Sequence, residues 1–460
     1  MTALLDRPFP SHAEPEAPRS AARAVQPIGI NLIGHASASL GLGVALRQLA
    51  HALDAAGIEL RVLDIPAHGG RDGFDRSLHS RTVQTAAALD QNVNLVVLGA
   101  PELPAFVASP PAGLRREGRL QAALVWWELP DFPAAIIDAL RTFDVLVAAS
   151  PFIRDTLLRQ VPGVPILHAP QPLALPAHIT GDRARLQLPE DAFIAFMGFE
   201  PASGMARKNP FGAIEAFRRA FPNDPQRLLL VKLNASAHAA GEEPAELTRL
   251  RSIAKADPRI RILRGRLSES DLLTLYASCD VGLSLHRSEG FGLFPLEFMR
   301  LGRPVVATAW SGNLAYMNHT NACLVRADIL PVDPATPGYG SKDLGIASHW
   351  AEPDIDHAAA WLRALAEDPA RRARIGLRAR VDALTYDAQA RRLAFIDELA
   401  SLLAEWPHRP PLDQGALLRR AIQSAARDAQ RRAARQRRLD TLAWMRNLPA
   451  RVKRRLARWR

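Results

Sequence analysis

Only two cysteines occur in 460 residues, Cys279 and Cys323, each beside apolar, strand-like sequence. That scarcity argues against a disulfide framework and a Cys-ligated metal and points to a reducing compartment. Both thiols read as small buried hydrophobes. No run of 18 apolar residues is present, so nothing is expected to span a bilayer. The first 26 residues are rich in Ala, Pro and Arg and lack the continuous apolar stretch of a secretory signal, so they read as a disordered leader. The thirteen histidines show no His-x-x-x-His spacing, and no Asp-x-Asp pair stands at a strand end. Asp354-Ile-Asp356 falls in a late loop. A catalytic metal is therefore not expected.

Charge is unevenly placed. The chain totals +11, but residues 415–460 carry 15 Lys/Arg against 2 Asp/Glu, leaving the other 414 residues at −2. The high pI belongs to the tail. There Leu442, Met445, Leu448, Val452, Leu456 and Trp459 form a helical stripe, with Arg451, Lys453, Arg454, Arg455 and Arg458 on the other faces. A basic amphipathic segment with Trp suits an anionic lipid surface. A solvated arm and a nucleic-acid contact are the rival readings, the latter without any recognised nucleic-acid module.

With 48% hydrophobic and 23% charged residues, the chain has ample core for two or three domains. Apolar strands are expected at Ile28–Ile33, Ile58–Ile65, Asn94–Leu98, Ala122–Trp127 and Val145–Ala149, separated by helical or loop segments such as Ala134–Arg141 and Phe152–Gln160. Pro-rich sequence from Pro162 to Pro189 reads as a linker. The alternation then restarts with strands at Phe193–Phe199, Leu228–Leu233, Ile260–Leu263, Val281–Leu285 and Pro304–Thr308, and helices at Phe211–Phe221, Pro244–Ala256, Glu269–Ser278 and Leu293–Leu301. This describes an α/β chain of two tandem, Rossmann-like, doubly wound domains facing a cleft at the carboxyl ends of their strands. The expected division is a first domain at 27–175, a second at 190–385, a helix crossing back at 386–405, a helix-breaking hinge at 406–415 and a basic helical tail at 415–460.

The densest chemistry lies in His286-Arg287-Ser288-Glu289-Gly290-Phe291-Gly292-Leu293-Phe294-Pro295-Leu296-Glu297. Glu289 sits in a Gly-rich turn after an apolar strand, and Glu297 follows about two turns down the next helix. Amides of Gly290, Phe291, Gly292 and Leu293 open that helix and attract phosphate. A carboxylate accepts two hydroxyl hydrogen bonds, which suits a sugar ring or a ribose. Phosphate at the helix start with polyol on either side describes a nucleotide sugar.

This pattern resembles the Glu-x7-Glu motif of retaining glycosyltransferases of the GT-B fold, family 4 in particular. Arg303-Pro304-Val305-Val306-Ala307-Thr308 and Ser311-Gly312-Asn313 extend the resemblance, which covers roughly residues 28 to 400. It implies that Glu289 contacts the donor sugar and Glu297 the ribose. The family usually has one basic residue immediately after the first strand of the second domain and a Lys several residues later, both on the donor diphosphate. Here the first position holds Phe199 or Glu200, and the basic pair is Arg207-Lys208. Lys208 matches the pattern and Arg207 departs from it. Lys232, ending the next strand, has either a diphosphate or a neighbouring carboxylate as its expected partner.

In the first domain the loop containing Gly41 and Gly43 corresponds to the donor/acceptor loop of such enzymes. Asp64 gives it a partial dinucleotide-binding look, but a third glycine is missing where Leu46 or Arg47 stands. Where many members have His, this chain has Trp126-Trp127-Glu128. Glu128 is either a polar contact to the donor beside a sugar-stacking Trp or a helix cap beside a buried Trp pair.

The resemblance implies a metal-independent hexosyltransferase that needs no cofactor beyond the NDP-sugar co-substrate. Its acceptor would be lipid-linked or a polysaccharide, as in exopolysaccharide or O-antigen assembly. It would be cytoplasmic and peripheral on the inner face of the membrane, with no nucleic-acid partner. A catalytically inactive GT-B protein that binds glycan or scaffolds an assembly, a pyridoxal-dependent phosphorylase and a nucleic-acid-binding protein are the rivals.

Overall fold

The computed structural model describes residues 27–67, 73–116, 118–234, 244–405 and 414–447. Chain order runs β1 (Gly29–Gly34), α1 (Gly41–Ala55), β2 (Glu59–Asp64), β3 (Thr82–Val83), β4 (Val93–Gly99), α2 (Leu103–Ala108), β5 (Leu120–Trp126), α3 (Ala134–Leu140), β6 (Val145–Ala148), α4 (Pro151–Gln160) and β7 (Ile166–His168). These strands form one parallel sheet in the order β3-β2-β1-β4-β5-β6-β7.

A second unit follows with β8 (Phe193–Phe199), α5 (Met205–Lys208), α6 (Pro210–Ala220), β9 (Arg227–Leu233), α7 (Ala245–Ala256), β10 (Ile260–Arg264), α8 (Glu269–Ala277), β11 (Val281–Ser284), α9 (Leu293–Arg300), β12 (Val305–Thr308) and β13 (Cys323–Val325). Its parallel sheet has the order β10-β9-β8-β11-β12-β13. Then come β14 (Ala327–Pro331), α10 (Ser341–Leu344), β15 (His349–Pro353), α11 (Ile355–Glu367), α12 (Pro369–Ala390), α13 (Ala394–Glu405) and α14 (Gln414–Asn447).

Both sheets are parallel for the reason their sequences suggest. Runs such as Val93–Gly99 and Arg227–Leu233 are apolar along nearly their whole length, as strands covered on both faces must be. In the second unit, α6 and α11 cover one face through Ala213, Phe217, Ala358 and Leu362, and α8 and α9 cover the other through Tyr276, Leu296 and Phe298. An aromatic cluster pins α9 to the sheet, with Phe298 stacked 5.5 Å from Phe196 and 4.7 Å from Tyr276. In each sheet the chain reverses direction of growth beside its first strand, between β1 and β4 and between β8 and β11. Loops leaving the carboxyl ends of two such strands diverge to opposite faces and leave a crevice.

Several expectations change. Residues 162–189 are not simply a linker, because Ile166–His168 adds β7 to the first sheet beside β6. A three-residue strand between prolines is too short to show a period. The helical sequence His357–Ala404 is three helices, broken at Asp368-Pro369 and at Leu393, whose φ is +51°. The crossover expected as one helix over Tyr386–Leu403 is therefore split. Asp387, late in α12, accepts from the Leu173 amide (2.8 Å), and Phe395, Ile396 and Leu399 of α13 join the first unit's core. β3, α10 and the antiparallel pair β14–β15 were not anticipated. Asp354 caps α11 by accepting from the His357 amide (2.9 Å).

The tail helix α14 is anchored at its start. Ala421 is fully buried against the first unit, Ser424 Oγ donates to Asp138 Oδ2 (2.5 Å), and Arg420 pairs with the same carboxylate (2.9 Å). Of the hinge expected at 406–415, Gln414 and Gly415 already belong to α14; residues 406–413, the side chains of Leu442 and Met445, and everything from Leu448 onward lie outside the described residues. Among the described residues no helix is long and apolar enough to cross a membrane. Both cysteines are buried free thiols, and burial pushes Cys323 up to about 12.

Candidate functional site

The crevice between β8 and β11 collects the charged residues singled out in the sequence. The segment after β8 turns through Gly204 (φ +95°) into the short helix α5, which presents Arg207 and Lys208. Asn209 then ends α5 with φ +51° and caps α6 by accepting from the Gly212 amide (3.1 Å). The segment after β11 carries Glu289 into the turn before α9.

Glu289 is 8% exposed. Its Oε1 accepts from Lys208 Nζ, and its Oε2 faces Arg207 Nη1 at 3.1 Å. Glu128, from the loop after β5 of the opposite domain, stands 3.7 Å from Arg207 Nη2. The two cations overcome burial and hold the Glu289 carboxyl down to about 2, while burial pushes the Lys208 ammonium below its usual range. Arg207 and Lys208 thus meet Glu289, where the sequence reading aimed both at a diphosphate. Arg207 is only 2% exposed, with Nε and Nη2 on the Ser203 carbonyl and Nη1 on the Ser288 carbonyl (2.9 Å).

The turn from Glu289 to α9 depends on missing side chains. A Cβ at Gly290 would lie 2.8 Å from the Trp127 carbonyl oxygen across the interface, and one at Gly312 would lie 2.0 Å from the Gly290 oxygen. Gly312 N donates to Glu289 O (2.9 Å), and Glu289 N donates to Ser311 Oγ (2.8 Å). Among the described residues, no backbone–backbone hydrogen bond outside the helix uses the amides of Gly290, Phe291, Gly292 or Leu293. They remain as donors at the positive end of α9.

Glu297 projects from α9, half-buried. Burial, reinforced by the Glu269 carboxylate, pushes it up to about 7. Both acidic side chains act on Tyr316, whose hydroxyl donates to the Phe291 (3.2 Å) and Gly292 carbonyls and is pushed well up by burial, Glu289 and Glu297. Glu289 thus precedes α9 and Glu297 is its fifth residue, about one turn in where the sequence reading had about two, and Tyr316 feels both carboxylates. Near Glu269 in the chain, the Arg266 guanidinium lies 5.5 Å from the ring of Phe74 of the first domain.

Other candidates fare differently. Lys232 Nζ donates to the carbonyls of Gly265 (2.6 Å) and Leu233 (3.2 Å) and to Asn234 Oδ1 (3.0 Å). Of the two expected partners, the neighbouring carboxylate supplies none of these bonds, and Glu200 acts on the ammonium only through space. Gly43 is buried, and a Cβ there would lie 2.4 Å from Ala38 O, so this glycine serves the loop's own folding; Gly41 has open space and starts α1. Trp127 is core, stacked on Phe132 (5.7 Å) with its Nε1 donating to Asp131 O (3.0 Å). Trp126 instead meets Phe291 of the other domain edge-on at 6.3 Å. Glu128 caps no helix: Pro133 is the N-cap of α3, and the Glu128 carbonyl accepts from Ser288 Oγ.

Sequence reasoning missed the residues that join the two domains here. Ser150 caps α4 and also donates to Gly290 O (2.6 Å), and Ser348 Oγ donates to Asp131 Oδ2 (2.9 Å). His286 is fully buried. Its Nδ1 faces Ser284 Oγ (3.0 Å), and its Nε2 faces the Trp310 carbonyl and Asn313 Oδ1. Two acceptors around Nε2 put the proton there, and burial keeps the ring neutral. Serine and tyrosine are too common as surface and core residues for such roles to show in one sequence. Among the described residues no group of three or more His, Cys, Asp or Glu is placed to hold a metal ion.

Residues 206–333, which include Lys208, Glu289 and Glu297, match the family described as glycosyl transferases group 1. The fold is GT-B. Sucrose-phosphate synthase from Thermosynechococcus elongatus superposes with a TM-score of 0.59 at 17% identity, covering 82% of this chain and 99% of its own. The Anabaena protein HepE, in complex with UDP and glucose, gives 0.56 at 16% identity over 82% of this chain and 100% of its own. The pneumococcal O-GlcNAc transferase GtfA, in complex with UDP and GlcNAc, gives 0.54 at 10% over 82% and 99%. No curated protein matches the sequence significantly. At these identities the structural matches establish the GT-B architecture of the chain.

Proposed function

We propose that this protein is a retaining, metal-independent glycosyltransferase that moves a hexose from an NDP-sugar to a lipid-linked or polysaccharide acceptor. The observation that carries the reading is that Glu289, the amides opening α9 and Glu297 follow one another along one turn and one helix, with Glu289 paired to Arg207, which Glu128 of the other domain also approaches. Diphosphate at those amides would put the sugar beside Glu289 and the ribose beside Glu297. HepE and GtfA were crystallised with UDP, which makes UDP the first nucleotide to test.

In this reading the donor bond breaks on the face the acceptor attacks, through an oxocarbenium-like centre. Lys208 and the α9 amides stabilise the departing diphosphate as charge develops on it. A departing phosphate oxygen takes the acceptor proton, so no protein base is needed. The basic tail, 415–460, would hold the enzyme on the anionic inner face of the membrane, where each Lys or Arg near the surface contributes about 1 kcal/mol. No pyridoxal or other cofactor is required.

A thermal-shift panel of nucleoside diphosphates tests the assignment, because a ligand that binds only the folded state raises Tm. UDP or another member should stabilise the protein, and transfer or hydrolysis of the matching NDP-sugar should follow; binding without turnover would leave an inactive GT-B module. Absence of any shift across the panel would refute the reading.

Glu297 adds a pH signature. Its folded-state value of about 7 lies above the ~4.3 of a free Glu, so the folded state prefers the proton. Folding therefore loses stability as pH rises from about 4.3 to 7, with no penalty below that window. Ribose hydroxyls donate best to the ionised carboxylate, so nucleotide binding should release a proton and weaken as pH falls through 7. Calorimetric titration between pH 5.5 and 8.5 should show this trend, and Glu297→Gln should flatten it. Glu297→Ala should weaken nucleotide binding by about 1–3 kcal/mol, the scale of a lost charged hydrogen bond.

A further inference from the structure

We propose that Arg207 and Tyr339 are a positioning pair for Glu289. Arg207 holds one carboxylate oxygen permanently, Tyr339 holds Arg207, and Lys208 keeps the other oxygen only until a diphosphate takes its ammonium. This rests on the sugar-transfer reading and assigns Arg207 a task different from diphosphate binding.

The two cations on Glu289 are held very differently. The Arg207 side chain is 3% exposed and that of Lys208 22%. Arg207 Nε donates to Tyr339 Oη at 2.8 Å and to Ser203 O, Nη2 also reaches Ser203 O, and Nη1 is shared by Ser288 O and Glu289 Oε2. Turning this guanidinium toward a phosphate would strand the buried Ser288 carbonyl and give up the bonds to Ser203 O and Tyr339 Oη, each a cost comparable to a lost hydrogen bond. Lys208 would leave only Glu289 Oε1. An arriving diphosphate can therefore draw Lys208 away and open Oε1 to a sugar hydroxyl, while Oε2 stays fixed on Arg207.

Tyr339 comes from the excursion between β14 and β15, outside both parallel sheets. Several contacts lock it against α5. Its ring lies 5.6 Å from the Arg207 guanidinium, and its hydroxyl donates to Ser203 O (3.3 Å). A Cβ on Gly204 would lie 2.7 Å from the ring, so this left-handed position accepts only glycine on two counts. The excursion is itself fixed. Trp350 and Val332 pack in the first domain's core, Glu352 holds Arg287 through two bonds of 2.6 and 2.9 Å, and the Arg287 amide donates to the Arg207 carbonyl (2.8 Å). A segment of the second domain that is seated in the first thus sets the orientation of the guanidinium beneath Glu289.

The test uses the full chain with UDP, or whichever nucleoside diphosphate the wild type binds, and its NDP-sugar. Tyr339→Phe and Arg207→Lys should bind the nucleoside diphosphate within about twofold of wild type, with the donor KM little changed. Their kcat should fall about 10- to 100-fold, the scale for a misplaced reacting group. The acidic limb of the kcat profile should move to higher pH, since the cation that keeps the proton off Glu289 is displaced from its oxygen. Lys208→Ala should instead lose at least about tenfold in nucleoside diphosphate affinity, the worth of a charged contact. Loss of affinity in Arg207→Lys matching that in Lys208→Ala, or unchanged kcat and pH profile in both positioning variants, would overturn the proposal and leave the sugar-transfer reading standing. If the wild type binds no nucleoside diphosphate, both fail. Tyr339→Phe, which removes one hydroxyl, carries the test if Arg207→Lys does not fold.

Discussion

Lys208→Ala is expected to lower kcat/KM for the NDP-sugar by about 10²- to 10³-fold, the cost of removing one preorganised charge from a developing anion. The ammonium is placed for this by local structure. Gly204 lets the chain turn after β8, α5 supplies one helical turn, and the left-handed Asn209 stops it with Lys208 beside Glu289. It is also the less enclosed cation of the pair, held by a carboxylate that becomes useful once released. The deficit should sit in kcat as well as KM, because charge on the leaving group is largest in the transition state. Steady-state kinetics with varied donor decide the matter. A variant within about threefold of wild type would remove Lys208 from the reaction.

The second large effect is on stability. Glu289→Ala should destabilise the protein by about 3–5 kcal/mol, because it leaves the buried Arg207 and the half-buried Lys208 without their counter-charge. Glu289→Gln should cost less, since the amide oxygen still accepts from one of them. In the native protein the pair's contribution is complete above pH ~4.3 and is lost as pH falls toward 2, the value to which the two cations hold the Glu289 carboxyl. Nucleoside diphosphate should return part of the lost stability to Glu289→Ala by giving Lys208 a new anion, and should do so less in Glu289→Ala/Lys208→Ala. Denaturant melts with and without ligand measure this. A loss below about 1 kcal/mol would mean that water reaches the two cations freely and that their pairing with Glu289 contributes little to the fold.

Much of the architecture was legible because it is local. Unbroken apolar runs such as Val93–Gly99, helices at 3.6-residue spacing between them, and turn residues at their ends announce two doubly wound sheets. The expected strands lie within two residues of those observed at each end. Elements too short to carry a period escaped, as β3, β7 and β13 did, and so did the β14–β15 excursion, whose strand residues are half exposed. The break at Leu393 was invisible because a left-handed leucine has no signature in one sequence.

At the site, the order Glu289, Gly290–Leu293, Glu297 could be read directly, since one turn and one helix connect them. Three-dimensional folding alone decided which partners those residues meet. Arg207 and Glu289 are 82 positions apart in the chain count, and their ion pair forms because β8 and β11 are neighbours at the point where the sheet reverses. Tyr339 and Glu128 reach the same guanidinium from an excursion and from the opposite domain. Periodicity and turn chemistry act over a few residues and so leave their mark on the primary structure. Burial and charge pairing across a cleft depend on segments brought together by the whole fold, and they decide which of two adjacent cations, Arg207 or Lys208, remains free to move.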